Sequence, residues 1–373
     1  MPDPALFLPD GRLGQILAIN PGSTSTKVAI FRGEELVFVT EIRHTAEELR
    51  PFPLICDQIE FRFEVISQAL TQAPLDLGIL LAVVGRGGFT RPIPSGVYCV
   101  DNVLVSELLG AVHGNHASNL GAPLAQEFAL KAGIPAYIVD PIAVDELDPV
   151  ARVTGIPQIR RRSIFHALNQ KRMARRAAGE LGKPYEEVNL IVVHLGGGIT
   201  VAAHRRGRVV EVNNAVEGEG PFAPERSGGL PAAQVAEMSF SGQHTLAEMH
   251  KLINGRGGLV AYFGTNESRS VEEAAASGDE SSKLVLDAMI YQVAREIGAC
   301  AAVLEGNVDA VVLTGGMAKS RWITEELRRK VQFIAPLLIY PGEDEMRAMF
   351  EGVLRVLRGE VMPMNYGDVP PVV

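Results

Sequence analysis

The chain repeats part of itself. Leu190 to Val210 reads LIVVHLGGGITVAAHRRGRVV and lies over the stretch ILAINPGSTSTKVAIF, which begins at Ile16, without a gap and 174 positions apart (20 against 194). Ile19 meets Val193, Asn20 meets His194, Gly22 meets Gly196, Thr26 meets Thr200, Ala29 meets Ala203 and Gly33 meets Gly207. Each copy is an apolar run, a glycine-bearing loop and a second run with β-branched residues, the pattern of a β-hairpin. Copies about half of 373 residues apart are what a duplicated domain leaves behind, and the length alone calls for two cores. Loops of this kind offer backbone N–H groups to anionic oxygens. In the first copy Asn20, Ser23, Ser25 and Lys27 add polar side chains and a cation; in the second, Gly196, Gly197 and Gly198 leave the backbone open.

Composition narrows the partners. A chain with 47% hydrophobic and 21% charged residues is an ordinary globular one. No apolar run approaches the roughly 20 residues that span a bilayer, and the opening MPDPALFLPDG lacks the basic start of a signal peptide. Cys56, Cys99 and Cys300 are odd in number and widely spaced, so neither a disulfide framework nor a metal motif is expected, which suits a reducing cytoplasm. The net charge of -9 argues against nucleic acid and anionic membrane as partners. A chain of this charge that handles anions must gather its cations locally.

Such gathering is expected at strand ends, where sites in α/β folds lie. An apolar strand over 79–84 runs into Gly85-Arg86-Gly87-Gly88, and one over 135–139 runs into Asp140. A third, over 310–313, leads to Thr314-Gly315-Gly316. Arg226 sits in a further glycine turn, Glu225-Arg226-Ser227-Gly228-Gly229. Apolar spacing predicts a helix over 51–70 and a mainly helical stretch over 230–304. The basic run from Arg160 through Arg176 reads mostly as a solvated helix face, with His166 at its start. A strand over 337–340 precedes Glu343-Asp344-Glu345 and a helix to Leu357; these acids suit a helix cap or, at a site, a metal ion. Three glycine turns, Lys27, Arg86, Arg226, His166 and His194, with Asp140 and Glu343 as possible magnesium ligands, point to phosphoryl transfer.

NPGSTSTK, HLGGG and TGG resemble the acetate and sugar kinase/heat-shock 70/actin superfamily. VGRGGFTRPIPSGVY, NHASNLGAPLA, IVDPIAVDEL, SIFHALNQKR and ERSGGLP narrow the resemblance to the short-chain acyl kinases, and within them to the butyrate type. The resemblance implies two duplicated actin-like (ribonuclease H-like) α/β domains, each with a mixed five-stranded sheet and with a nucleotide cleft between them. The domains would be 1–148 plus 347–373 and 149–346. It implies reversible transfer of the ATP γ-phosphate to butyrate or a related short or branched acid, with ATP/ADP and Mg2+ as cofactors. The alternatives are an acetate or propionate kinase and a non-enzymatic ATP-binding switch. Carried over by position, Arg86 and Arg226 bind carboxylate and phosphoryl group, His166 and His194 steady the transition state, and Asp140 is linked to the metal. Asn20, Ser23, Ser25 and Lys27 form the first phosphate loop, Gly196, Gly197 and Gly198 the second, and Thr314, Gly315 and Gly316 the adenosine loop. Asn20 and an acid among Glu343, Asp344 and Glu345, with Glu343 favoured, would complete the metal set. One departure stands out: acetate kinases carry HLGNG where this chain has HLGGG. A homo-oligomer, at least a dimer, is also implied.

Overall fold

The computed structural model describes residues 3–372. It divides into two units, one reaching Val144 and resuming at Asp344, the other Asp145–Glu343. The expected boundaries, 148/149 and 346/347, lie a few residues further along the chain at both places.

The first unit carries β1 (Gln15–Pro21), β2 (Ser25–Arg32), β3 (Glu35–Arg43), β4 (Leu80–Arg86), β5 (Val97–Cys99) and β6 (Ala136–Val139). The second carries β7 (Asn189–Leu195), β8 (Ile199–Arg205), β9 (Arg208–Val212), β10 (Ala310–Gly315) and β11 (Leu337–Pro341), and β12 (Met364–Asn365) returns to the first. The first sheet runs β3-β2-β1-β4-β6-β5-β12 and the second β9-β8-β7-β10-β11. Directions agree as well: the outer three strands of each are antiparallel, and β1-β4-β6 matches β7-β10-β11 in being parallel. The duplication thus extends from one hairpin to a five-strand scaffold. The first sheet has seven strands rather than five, because β5 pairs antiparallel with β6 and β12 joins β5. At three and two residues these additions are too short to leave a periodic pattern.

Parallel strands covered on both faces read as continuous apolar runs, and β7 is buried along all but its first residue. In the first unit Leu17, Ile19, Val28 and Ile30 pack with Ile66 and Leu70 of the Ile59–Leu70 helix and with Leu124 and Phe128 of the Gly121–Ala132 helix. On the opposite face Phe31 stacks on Phe350 of the Glu345–Leu357 helix at 4.4 Å. In the second unit Ile191, Val193, Ile199 and Val201 face the long Glu280–Val303 helix, while Leu190 and Val192 face the Ala167–Glu180 helix through Met173 and Ala177.

Three expectations need correction. The helix expected over 51–70 spans only Ile59–Leu70, after a single turn at Cys56–Gln58, since Pro51 and Pro53 cannot donate within a helix. The solvated basic helix face fails for Arg161, which precedes the helix and holds Glu211 and Glu219 at 2.7 and 2.9 Å; Arg162 also precedes the helix but is exposed, paired with Glu217. The third concerns the duplicated hairpins. Pro21 pairs with Thr26, but Leu195 pairs with Ile199, so the second loop is one residue shorter. Register therefore places Thr200 opposite His194 where Lys27 stands opposite Asn20. The gapless matches hold through β1 and β7 but not beyond the loop. At the next turn Arg206, at φ 48°, takes the place of Gly33.

Candidate functional site

In the first unit the carboxyl ends of β1, β4 and β6 place Asn20, Arg86 and Asp140. Arg86 reaches its position because two glycines let chain approach chain: a Cβ on Gly85 would lie 2.0 Å from Gly121 O, and one on Gly121 2.2 Å from Arg86 O. Glu345, the first residue of its helix, joins the other two strand ends. Its carboxylate accepts from Asn20 Nδ2 at 2.5 Å and lies 2.5 Å from Arg86 Nη1. Asp140 is buried in a left-handed conformation, φ 39°, which asparagine and aspartate tolerate better than most residues. Its Oδ1 accepts from Ser95 Oγ at 2.6 Å and from Gly96 N at 2.8 Å.

The first loop is open to solvent at Ser23 and Lys27, while Ser25 Oγ donates to Glu41 at 3.2 Å. Its support comes from a residue that sequence reasoning missed. Arg62 is fully buried, and its five N–H donors go to Gln58 Oε1, Ser23 O, Ser25 O and Thr26 Oγ1. These acceptors are all neutral, and burial pushes the guanidinium down to about 10. In the sequence its signal is an arginine spaced with Ile59 and Ile66 on the apolar side of the helix pattern.

In the second unit His194 is the last residue but one of β7, and His166 precedes the Ala167–Glu180 helix. Their rings stack at 3.7 Å and 9°. His194 Nδ1 donates to Asn169 Oδ1 at 2.9 Å, and His194 Nε2 lies 3.0 Å from Glu343 Oε1. His166 Nδ1 meets Thr200 Oγ1 at 2.9 Å. Arg226 lies against the second loop, because a Cβ on Gly198 would fall 2.0 Å from its Nη1. Arg226 Nε donates to Asn254 Oδ1 at 3.2 Å; burial lowers the guanidinium, and the neighbouring Glu225 partly restores it. Gly196 borders His194 Nε2 and Glu343, and Gly197 is exposed beside Glu225. Thr314 is buried at the end of β10, with its hydroxyl 3.3 Å from Gly342 O; Gly315 exchanges backbone bonds with Gly342, and Gly316 begins a short 3-10 turn.

The structure thus gathers Asn20 and Arg86 around Glu345 in one unit, and His166, His194 and Glu343 in the other. Asp344 does neither; its carboxylate caps the last helix by accepting from Arg347 N at 2.9 Å. Among the described residues no three His, Cys, Asp or Glu side chains converge as a metal cluster. Magnesium needs none, since it takes one or two carboxylates with phosphate and water oxygens. The hard oxygens of Asn20 and Asp140, at strand ends of the first sheet, and of Glu345, at the helix start, fit that donor set.

Residues 154–336 match the Acetokinase family. The chain is 51% identical over 352 residues to butyrate kinase 1 of Clostridium acetobutylicum, covering 94% of this chain and 99% of that one. Among solved structures it resembles the acetate kinase of Porphyromonas gingivalis, with a TM-score of 0.76 and 19% identity over 92% of this chain and 100% of that one. It also resembles a propionate kinase of Francisella tularensis, with a TM-score of 0.71 and 17% identity over 91% and 99%. At these identities the structural likenesses speak for the fold.

Proposed function

Because the chain belongs to the acetokinase family, we propose that it transfers the γ-phosphate of ATP to the carboxylate of butyrate, reversibly, giving butyryl phosphate and ADP. The observation that carries this reading is the pair of strand-end or loop arginines, Arg86 and Arg226, one in each unit.

The substrate dictates what the protein must supply. A fatty acid with a pKa of about 4.3 is already ionised at neutral pH, so the attack needs no general base. A carboxylate oxygen forms the new bond to the γ-phosphorus while the bond to the β,γ-bridging oxygen breaks, and ADP leaves with that electron pair. The obstacle is repulsion between anions, roughly 4 kcal/mol per unit-charge pair at about 4 Å and an effective dielectric of 20. Arginine forks match carboxylate and phosphate oxygens alike, which fits Arg86 and Arg226 to the two partners. His166 and His194 offer ring nitrogens to the transferring group. Asn20, Ser23, Ser25 and Lys27 with Gly196, Gly197 and Gly198 hold phosphates, and Thr314, Gly315 and Gly316 border the adenosine. Magnesium, when bound, neutralises phosphate charge; Asn20 and Asp140 would hold it. Of the three acids near the C-terminal helix, the contacts of Glu345 with Asn20 and Arg86 favour it over Glu343, which faces His194.

Chain length is the least constrained element. Two extra methylenes are worth about 1.6 kcal/mol, roughly a fifteen-fold preference for butyrate over acetate. Three free thiols fit a cytoplasmic setting. A helix without buried residues, Ala232–Phe240, fits a homo-oligomer of two or more copies. No helix among the described residues is long and apolar enough to cross a membrane. The deciding experiment traps acyl phosphate with hydroxylamine over straight and branched acids of two to six carbons, with ATP and magnesium. Hydroxamate is expected to be greatest with butyrate or a near neighbour. A maximum at two or three carbons would move the assignment to acetate or propionate kinase, and none with any acid would leave an ATP-binding switch.

A further inference from the structure

A buried chain of side chains lies behind His166. Thr200, Gln170 and His204 have no exposed surface, and Tyr185 is buried beside them. Gln170 comes from the Ala167–Glu180 helix, Thr200 and His204 from β8, and Tyr185 from the turn before β7. From end to end the contacts are Tyr185 Oη to His204 Nδ1 at 2.7 Å, His204 Nε2 to Gln170 Oε1 at 3.1 Å, Gln170 Nε2 to Thr200 Oγ1 at 2.8 Å, and Thr200 Oγ1 to His166 Nδ1 at 2.9 Å.

One backbone atom fixes the direction of the central bonds, and the rest follow from the groups at either end. Gln170 Nε2 also lies 3.1 Å from Thr200 O. A carbonyl oxygen only accepts, so the amide must turn its NH2 end toward Thr200 and its oxygen toward His204. That oxygen accepts in turn, so His204 carries its proton on Nε2, and its Nδ1 accepts from the Tyr185 hydroxyl. At the other end the Thr200 hydroxyl already receives a hydrogen from Gln170. Thr200 is fully buried, and among the described residues the only acceptor within reach of its own hydrogen is His166 Nδ1; the hydroxyl hydrogen is satisfied only by pointing there, with Nδ1 accepting. Burial holds His204 well below its usual 6.5, aided by the charges of Lys171 and Arg175, so a neutral ring there agrees with the bond directions.

We infer that Tyr185, His204, Gln170 and Thr200 form a positioning relay that locks His166 as the neutral tautomer protonated on Nε2. Under the function proposed above, His166 then serves the phosphoryl group as a hydrogen-bond donor and not as a base. This agrees with an acceptor that has no proton to lose. Gln170, Thr200 and His204 act through His166 and touch no substrate themselves.

The test reads the tautomer directly. In protein labelled with 15N-histidine, long-range proton–nitrogen spectra at neutral pH are assigned by comparison with His166→Gln. The inference requires His166 Nδ1 to be unprotonated and Nε2 protonated. A protonated Nδ1 overturns it, whatever the enzyme turns over, so this readout is independent of the butyrate assignment. Gln170→Met should release the tautomer and lower kcat by about tenfold to a hundredfold, the cost typical of losing a partner that orients a histidine, with little change in KM. Thr200→Val should behave alike and Thr200→Ser should restore both readouts. Wild-type tautomer and turnover in Gln170→Met would overturn the relay; should that variant fail to fold, the wild-type spectrum and the Thr200 pair still decide.

Discussion

Thr26 and Thr200 fall at matching places in the repeated sequence, and both bridge a buried donor to a histidine. Thr26 Oγ1 accepts from Arg62 at 2.9 Å and meets His44 Nε2 at 2.9 Å; Thr200 Oγ1 accepts from Gln170 at 2.8 Å and meets His166 Nδ1 at 2.9 Å. Yet they occupy opposite faces of their sheets. The second loop is one residue shorter, and with a side-chain period of two a one-residue shift reverses every side chain beyond it. Thr26 points, with Val28 and Ile30, toward the Ile59–Leu70 helix and a charged donor under the loop. Thr200 points toward the Ala167–Glu180 helix and a neutral donor behind a site histidine. The two units therefore share a scaffold and an arginine each, Arg86 and Arg226, and differ in what lies behind the threonine: a fixed charge, Arg62, in the first, and an oriented neutral donor, Gln170, in the second.

The largest effects should come from the arginine that each unit contributes. Arg86→Ala and Arg226→Ala are each expected to lower kcat/KM by roughly a hundredfold to a thousandfold, about 3 kcal/mol, as for removal of one preorganised donor. Steady-state kinetics with butyrate and ATP measure it. Near-normal turnover in both variants would remove the arginines from the reaction. If only one mattered, the two units would differ in their arginines as well as behind their threonines.

Gly198→Ala follows, because it moves Arg226 without removing it. The new methyl would sit 2.0 Å from Arg226 Nη1, the far end of a long side chain, so the guanidinium can swing away and the fold survive. A fall in kcat/KM of about tenfold to a hundredfold is expected, 1.4 to 2.7 kcal/mol, with an unchanged urea midpoint. A matching loss of stability would mean that Arg226 is a structural support.

How far the sequence reveals this arrangement depends on the length of the pattern each part leaves. The hairpins, the strands at 80–86 and 310–315 and the glycine loops carry long apolar runs and fixed punctuation, and they are legible. β5 and β12 are too short for any period, and the missing loop residue is invisible because an alignment through glycines matches equally well on either side. Strand-end position marks Arg86 and Asp140 as candidates. It cannot mark Gln170 or Arg62, which lie on helices and reach Thr200 and the first loop by tertiary packing alone. Glu345 is visible only as one of three neighbouring acids; the direction in which the helix start turns it selects it.

The paired threonines give the sharpest test of the comparison. Thr26→Val strands an Arg62 N–H in a buried setting and should cost about 1–3 kcal/mol of stability. Its effect should appear in the urea midpoint more than in kcat. Thr200→Val should show the reverse emphasis. Identical profiles for the two variants would mean that the change of face carries no change of role.

Acid pH probes the same two histidine settings. His44 and His204 are buried, and burial lowers both below the usual 6.5, His204 far below; Arg62 adds to the first shift, with Glu48 opposing it, and Lys171 and Arg175 add to the second. Each regains its ordinary value on unfolding, so below about pH 6.5 the unfolded chain binds more protons. The stabilisation is present above 6.5 and is lost as pH falls, with a slope of up to about 1.4 kcal/mol per pH unit for each histidine. Urea titrations between about pH 7.5 and 5.5 measure the slope. His204→Gln should flatten it more than His44→Gln; the reverse would place the tighter burial in the first unit.

The smallest effect is expected where this chain departs from the acetate kinase pattern. A Cβ on Gly197 would meet Glu225 Oε2 at 3.6 Å, an ordinary contact, and the position is exposed. Gly197→Asn should therefore leave stability within about 0.5 kcal/mol, as for most surface substitutions. It adds an amide beside the second loop, on the side of Glu225 and away from Arg226, which packs on Gly198. The change should appear as a shift of a few-fold in KM for ATP and not in the ratio of butyrate to acetate turnover. If that ratio moved instead, the second loop would be reading the acyl chain, and specificity would lie in the unit that holds the Gln170 donor.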